Sequence, residues 1–150
     1  MTDILIRLVT ALLGTIGFAM IFRIGRNRMP WAALGGLLTY AVYELAIQLG
    51  GEALVAAFLA SVFMTLYSEA LARILRAPAV TFLLPCAIPI VPGGSLYYTV
   101  YNLLFYNAEK LFHYAKATLS VALGMAVGMG VAAIIVGVML QITKVMHKKQ

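Results

Sequence analysis

Five stretches of predominantly apolar residues follow one another along the chain, near 4–22, 29–49, 53–72, 77–107 and 117–143. Each is about 20 residues or longer, and about 20 helical residues rising about 1.5 Å each cross the roughly 30 Å hydrocarbon core of a bilayer. Little of the 150-residue chain remains to build anything else. Composition agrees, with 63% hydrophobic and 11% charged residues, against about 45–50% and about 25% in soluble domains. A chain this apolar cannot cover its own surface with polar groups, which excludes soluble globular folds, disordered chains and most nucleic-acid modules. The expected fold is all-α: one polytopic membrane helix bundle over 1–150, with five transmembrane helices, the fourth broken at Pro92–Gly94.

The 11 basic residues outnumber the 5 acidic ones, which in a soluble protein would suggest an anionic partner. Their positions describe orientation instead. Arg23, Arg26 and Arg28 follow the first stretch, Arg73 and Arg76 the third, and Lys144, Lys148 and Lys149 the fifth. In a five-span chain these ends share one side, and only Arg7, Lys110 and Lys116 fall on the other. The bias of Lys and Arg toward cytoplasmic loops places the N-terminus outside and the C-terminus inside. The first stretch is not built like a secretory signal, because Asp3 precedes its apolar core and Gly17-Phe-Ala-Met-Ile-Phe22 runs directly into arginines. It reads as a retained helix. The one extended polar segment, Asn107 to Lys116, reads either as a continuation of the fourth helix or as a short interfacial turn.

The fourth stretch is the unusual one. No charge falls between Ala77 and Ala108, and an unbroken helix of that length would reach about 48 Å, too long without a large tilt. Pro85, Pro89 and Pro92, followed by Gly93 and Gly94, supply the break. At about 100° per residue the prolines share one helix face, so a single strip loses its amide donors and leaves carbonyls unpaired. Unpaired backbone inside a membrane is tolerated only where protein, a cavity or a ligand satisfies it. A new helix is expected to start at Ser95, with Ser95 or Gly94 as N-cap, and to run through Tyr98, Asn102 and Tyr106. Its positive end suits a carboxylate, and the freed carbonyls suit an ammonium group. Pro92, Gly93, Gly94 and Ser95 are therefore candidate substrate-binding residues. The plainer reading is a kinked helix whose prolines only shape packing. Tyr98 and Asn102 either line a cavity below the break or belong, with Tyr97, Tyr101 and Phe105, to an aromatic belt at the interface.

Glu44 lies inside the second stretch between Tyr40 and Gln48. A carboxylate in that position is a candidate for proton coupling, or a structural group hydrogen-bonded to a tyrosine. Glu69 sits one turn before Arg73, as in an interfacial ion pair, and Cys86 reads as a small buried thiol. Gly124, Gly128 and Ala132 repeat every four residues on the last stretch, a helix-packing spacing. Their partner is either the first helix, with its Gly14 and Gly17, or another subunit. No phosphate-binding loop, metal-ligand spacing or Ser-His-Asp set appears, so neither a cofactor nor an enzyme is expected.

The run Pro85-Cys-Ala-Ile-Pro89-Ile-Val-Pro-Gly-Gly-Ser95-Leu-Tyr-Tyr98 resembles the proline-rich stretch of the threonine/serine exporter family, and in particular of its short five-span component. Gly17-Phe-Ala-Met-Ile-Phe22 and Trp31-Ala-Ala-Leu-Gly35 add to the likeness, which extends from about Gly14 to Gly137. The resemblance implies export of small amino acids across the bacterial cytoplasmic membrane, driven by the proton gradient. It also implies a larger partner subunit with its own membrane half and a cytoplasmic domain. An odd number of spans would place a related five-helix unit inverted in the membrane, as in transporters built from inverted repeats. Two alternatives stay open: an exporter of another small carboxylate such as a dicarboxylate, and a structural or regulatory subunit that transports nothing.

Overall fold

The computed structural model describes the backbone of residues 2–105 and 107–147, and side chains within 4–105 and 107–142. Tyr106, Lys148 and Lys149, named above, lie outside the described residues, as do the side chains of Asp3 and Lys144. The described residues form six α-helices and one 3-10 turn, with no strand. These are α1 (Thr2–Ile21), α2 (Met29–Gln48), α3 (Ala53–Ile74), α4 (Val80–Ala87), the 3-10 turn (Ile88–Ile90), α5 (Gly93–Leu104) and α6 (Ala108–His147).

Local chemistry explains most of the boundaries. Pro30 stands in the first turn of α2, where its missing amide costs nothing. At the other end Gly50 takes φ 85°, so that the Gly51 amide reaches back to the Ala46 carbonyl at 2.9 Å, the closing pattern that glycine permits. The fourth stretch breaks as its prolines require. Pro85 is held inside α4, Pro89 tightens the backbone into the 3-10 turn, and α4 with that turn is bent by 56° from α5. Asn107 Oδ1 then accepts the Lys110 amide at 3.3 Å and opens α6. Asn107 to Lys116 is thus neither the tail of the fourth helix nor an interfacial turn. It is the cap and first turns of a 40-residue final helix.

Among the described residues, α1, α3 and α6 are each long and apolar enough to cross a membrane, and the bent pair α4–α5 makes a fourth candidate. The helix α2 has the length, but Pro30, Tyr40, Tyr43, Glu44 and Gln48 dilute its apolar character. It occupies the middle of the bundle, packed against α1, α3, α4 and the 3-10 turn, while α3 also contacts α4 and α6, and α5 lies along α6. One core cluster joins Ala57, Ala60 and Met64 of α3 to Cys86, Ile90, Val121 and Met125. A second joins Ala19, Ile24, Ala32 and Leu71 around Phe82. Close approach at the centre relies on Gly35, where a Cβ would run into Cys86 and Tyr67. The outer surface is lined with exposed Leu, Ile, Val and Phe side chains, an apolar exterior that water would not tolerate and lipid does.

Candidate functional site

Glu44 is buried within α2 and has two partners. Its Oε1 lies 3.6 Å from Nη1 of Arg7 on α1, and its Oε2 accepts a 3.4 Å hydrogen bond from the Tyr40 hydroxyl one turn back. Both separations exceed the roughly 2.7–2.9 Å of a tight charge-assisted hydrogen bond, so the carboxylate is loosely held. The two ions differ in surroundings: the Arg7 side chain is 61% exposed and that of Glu44 11%. Beside them a groove of about 330 Å³ opens between α1, α2 and the 3-10 turn, lined by Arg7, Thr10, Gly14, Tyr40, Ile88 and Pro89. A smaller one of about 170 Å³ reaches Glu44 itself, between Leu8 and Gln48. One cation, one phenol and the bent span thus meet in a single recess, with one carboxylate at its edge.

Arg7 escapes a reading of the sequence that treats it, with Lys110 and Lys116, as a marker of orientation. A signal was available, because Arg7 is the only charge within the apolar stretch Ile4–Ile21, and an isolated ion inside a span calls for a counter-ion.

The residues expected to form one site at the break occupy two separate places. The helix α5 begins at Gly93, with Pro92 in the N-cap position, and not at Ser95 as expected. Ser95 therefore stands in the third helical position, where its hydroxyl donates to the Pro92 carbonyl at 3.1 Å and caps no amide. The Gly93 amide donates to Val91 O at 2.8 Å and the Leu96 amide to Pro92 O at 3.0 Å. The amides of Gly94 and Ser95 meet no backbone acceptor among the described residues. Gly93 and Gly94 are exposed, and a Cβ on either would meet open space. Tyr98 and Asn102 lie instead on the seam between α5 and α6. The Tyr98 ring stacks on Tyr114 of α6 at 5.1 Å, and buried Asn102 donates its Nδ2 to the Tyr98 carbonyl at 2.6 Å. Tyr97, Tyr101 and Phe105 form an exposed ladder of rings, 6.3 and 4.5 Å apart.

The family profile described as "Threonine/Serine exporter, ThrE" matches residues 7–141, a range that holds Arg7, Glu44, the whole bent span and nearly all of the apolar part of α6. The chain belongs to the threonine/serine exporter family. No solved structure matches it. As a member of this exporter family it is a multi-pass membrane transporter component, from a family that moves solutes and is not one of enzymes.

The small-residue stripe of the exporter chain has a definite neighbour. Gly124, Gly128 and Ala132 are buried, and a Cβ at Gly124 would run into the Leu54 carbonyl and stand 3.0 Å from Ala57 Cβ. At Gly128 it would run into Ser61 and lie 2.6 Å from the Phe58 carbonyl oxygen. The partner within the chain is α3, not α1. Gly14 and Gly17 of α1 face open space at the Cβ position, because α1 packs against α2 and the 3-10 turn. Among the described residues no group of three His, Cys, Asp or Glu is placed to hold a metal ion. Glu69 pairs with Arg73 at 3.6 Å, away from both candidate places.

Proposed function

We propose that the chain is one subunit of a secondary transporter that exports threonine- or serine-like amino acids across the bacterial cytoplasmic membrane. The observation that carries this reading is the recess in which Arg7 and Tyr40 face the 3-10 turn of the bent span while Glu44 stands 3.6 Å from Arg7. A zwitterion can insert between two loosely held ions by exchanging partners, its carboxylate going to Arg7 and its ammonium to Glu44. During that exchange no charge is left unpaired in low dielectric, which avoids the largest penalty of burying ions. A dicarboxylate would instead set its second negative group against Glu44, so an amino acid fits better.

The open amides of Gly94 and Ser95 offer a carboxylate a separate resting place farther along the bent span, as at other helix starts. The bend between α4 and α5 is the element whose movement exposes the solute to the opposite side. In this reading α2 is the fifth crossing, shielded by its neighbours, with the N-terminus outside and the C-terminus in the cytoplasm, an orientation that the distribution of Arg and Lys supports. Glu44 is the proton-coupling group. A larger partner subunit covers the exposed side of the break and completes the pathway, which five helices alone do not enclose.

The test is threonine and serine efflux from cells carrying the chain together with its partner subunit. Arg7→Gln should abolish efflux while leaving the assembled complex intact by pull-down. Assembly with unchanged efflux would refute the site and favour a purely structural subunit.

A further inference from the structure

A further cavity, of about 430 Å³, lies at neither candidate place. It opens where the α1–α2 loop meets the start of α4, with Arg23, Arg28 and Thr81 contributing polar groups and Phe22, Val80 and Leu84 apolar walls. Neither arginine has a carboxylate within salt-bridge distance among the described residues, whose two ion pairs are Arg7–Glu44 and Arg73–Glu69. Two guanidinium groups without a carboxylate partner favour an anion.

The backbone shows that these cations are placed at some expense. Arg23 has φ 53° and Arg76, on the loop that supplies Pro78, has φ 47°, the only non-glycine residues with positive φ among those described. Both follow a helix end that closes by the pattern seen at Gly50: Ile24 N reaches Ala19 O at 3.0 Å, and Ala77 N reaches Ala72 O at 2.9 Å. Glycine fills that left-handed position without strain, and it does so at the other end of α2. On the side with the cavity, arginine stands there twice. The negative ends of α1 and α3 account for part of that preference, but not for a cavity that collects two of the cations without a counter-ion.

The walls decide which anion. Phe22, Val80 and Leu84 are 44%, 55% and 45% exposed, and they lie at the end of α1 and along α4, beside the exposed apolar side chains Met20 and Ile21. A small hydrated ion would leave them wet. We propose that this cavity binds the phosphodiester headgroup of an anionic phospholipid, with the guanidinium groups of Arg23 and Arg28 on the phosphate and the first acyl carbons against Phe22, Val80 and Leu84. Arginine suits this role because its planar fork meets phosphate oxygens two at a time, and in the orientation proposed above the cavity is on the cytoplasmic side, where basic pockets between helices collect such headgroups.

The experiment uses the full chain purified in a neutral detergent, with retention of dioleoyl phosphatidylglycerol, dioleoyl phosphatidylcholine and inorganic phosphate read by native mass spectrometry and thermal shift. Phosphatidylglycerol should be retained and should raise the melting temperature, while phosphatidylcholine and phosphate should do neither. Arg23→Gly and Arg28→Gln should each weaken phosphatidylglycerol binding roughly fivefold, the loss expected for one surface arginine near an anionic lipid. Arg23→Gly relieves the positive φ, so its lipid-free melting temperature should not fall, and lost binding cannot then be ascribed to misfolding. Arg26→Gln removes the same charge from the same loop outside the cavity lining and should leave retention unchanged. Equal retention of phosphatidylcholine, competition by inorganic phosphate at equal concentration, or an Arg26 variant as weak as the other two would each overturn the proposal.

Discussion

Replacing Gly128 by alanine adds one methyl group at a tight backbone contact between α6 and α3. The new carbon would lie 2.6 Å from the Phe58 carbonyl oxygen and would also run into the Ser61 hydroxyl. The hydroxyl can rotate away, but the carbonyl belongs to α3 and moves only if the whole helix does. Since carbon and oxygen usually approach to about 3.3 Å, α6 must retreat by roughly 0.7 Å along that line. Displacement of that size thins the packing of Ala57, Ala60, Val121 and Met125 in the adjoining core. Overpacking of this kind costs about 1–3 kcal/mol, offset by the roughly 0.8–1 kcal/mol that alanine gains over glycine inside a helix. Gly130→Ala is the matched control, because its Cβ meets nothing within 4 Å and only the propensity gain remains. The two variants should therefore move in opposite directions in thermal unfolding of the detergent-solubilised chain, with Gly128→Ala melting lower than wild type and Gly130→Ala at or above it. A Gly128→Ala protein as stable as Gly130→Ala would refute the reasoning that backbone contact, not lipid exclusion alone, holds α6 to α3.

Three further outcomes follow from contacts described above. If Glu44 couples efflux to protons as proposed, Glu44→Gln should leave threonine efflux insensitive to an imposed pH gradient, measured in vesicles holding the chain and the proposed partner subunit; an unaltered response would refute that role. Asn107→Ala should cost about 1 kcal/mol through the lost helix cap and speed hydrogen exchange in the first turn of α6, whereas unchanged exchange there would show that the cap contributes nothing. Cys86 is buried, with its Sγ 3.8 Å from the Ala32 carbonyl, so a maleimide should label it only after unfolding; rapid labelling of the native protein would place the thiol elsewhere.

What the sequence makes legible here is local. Apolar runs and their terminal arginines mark the helices, and three prolines with two glycines mark the bend, because each signal acts within one or two turns of the residue that carries it. Asn107 was just as local a signal, an N-cap residue with Glu109 in the first turn behind it, yet the surrounding aromatic and charged residues look like an interfacial turn. The pairing of helices is a different matter. Lipid tails are as apolar as leucine, so hydrophobicity does not say which face meets which neighbour, and small-residue stripes only say that some neighbour comes close. For that reason Gly124 and Gly128 could not be assigned to α3, nor Arg7 to Glu44, from spacing. The candidate site was accordingly half legible: Glu44 declares itself by its own cost, whereas its cation belongs to a helix whose partner only the fold reveals.

The apolar part of α6 runs over Ala108–Ile142, 35 residues, or about 52 Å of helix. Fitting that entirely within roughly 30 Å of hydrocarbon would need a tilt beyond the usual range of about 0–40°. The tilt of α6, and how far its first turns stand clear of the hydrocarbon, therefore depends on how thick the membrane is. Because α6 is in backbone contact with α3 at Gly124 and Gly128, leaning one rod levers the other. Bilayer thickness thus becomes a mechanical input to the bundle, and transport rates measured in vesicles of different acyl-chain length are comparable only after that geometry is taken into account.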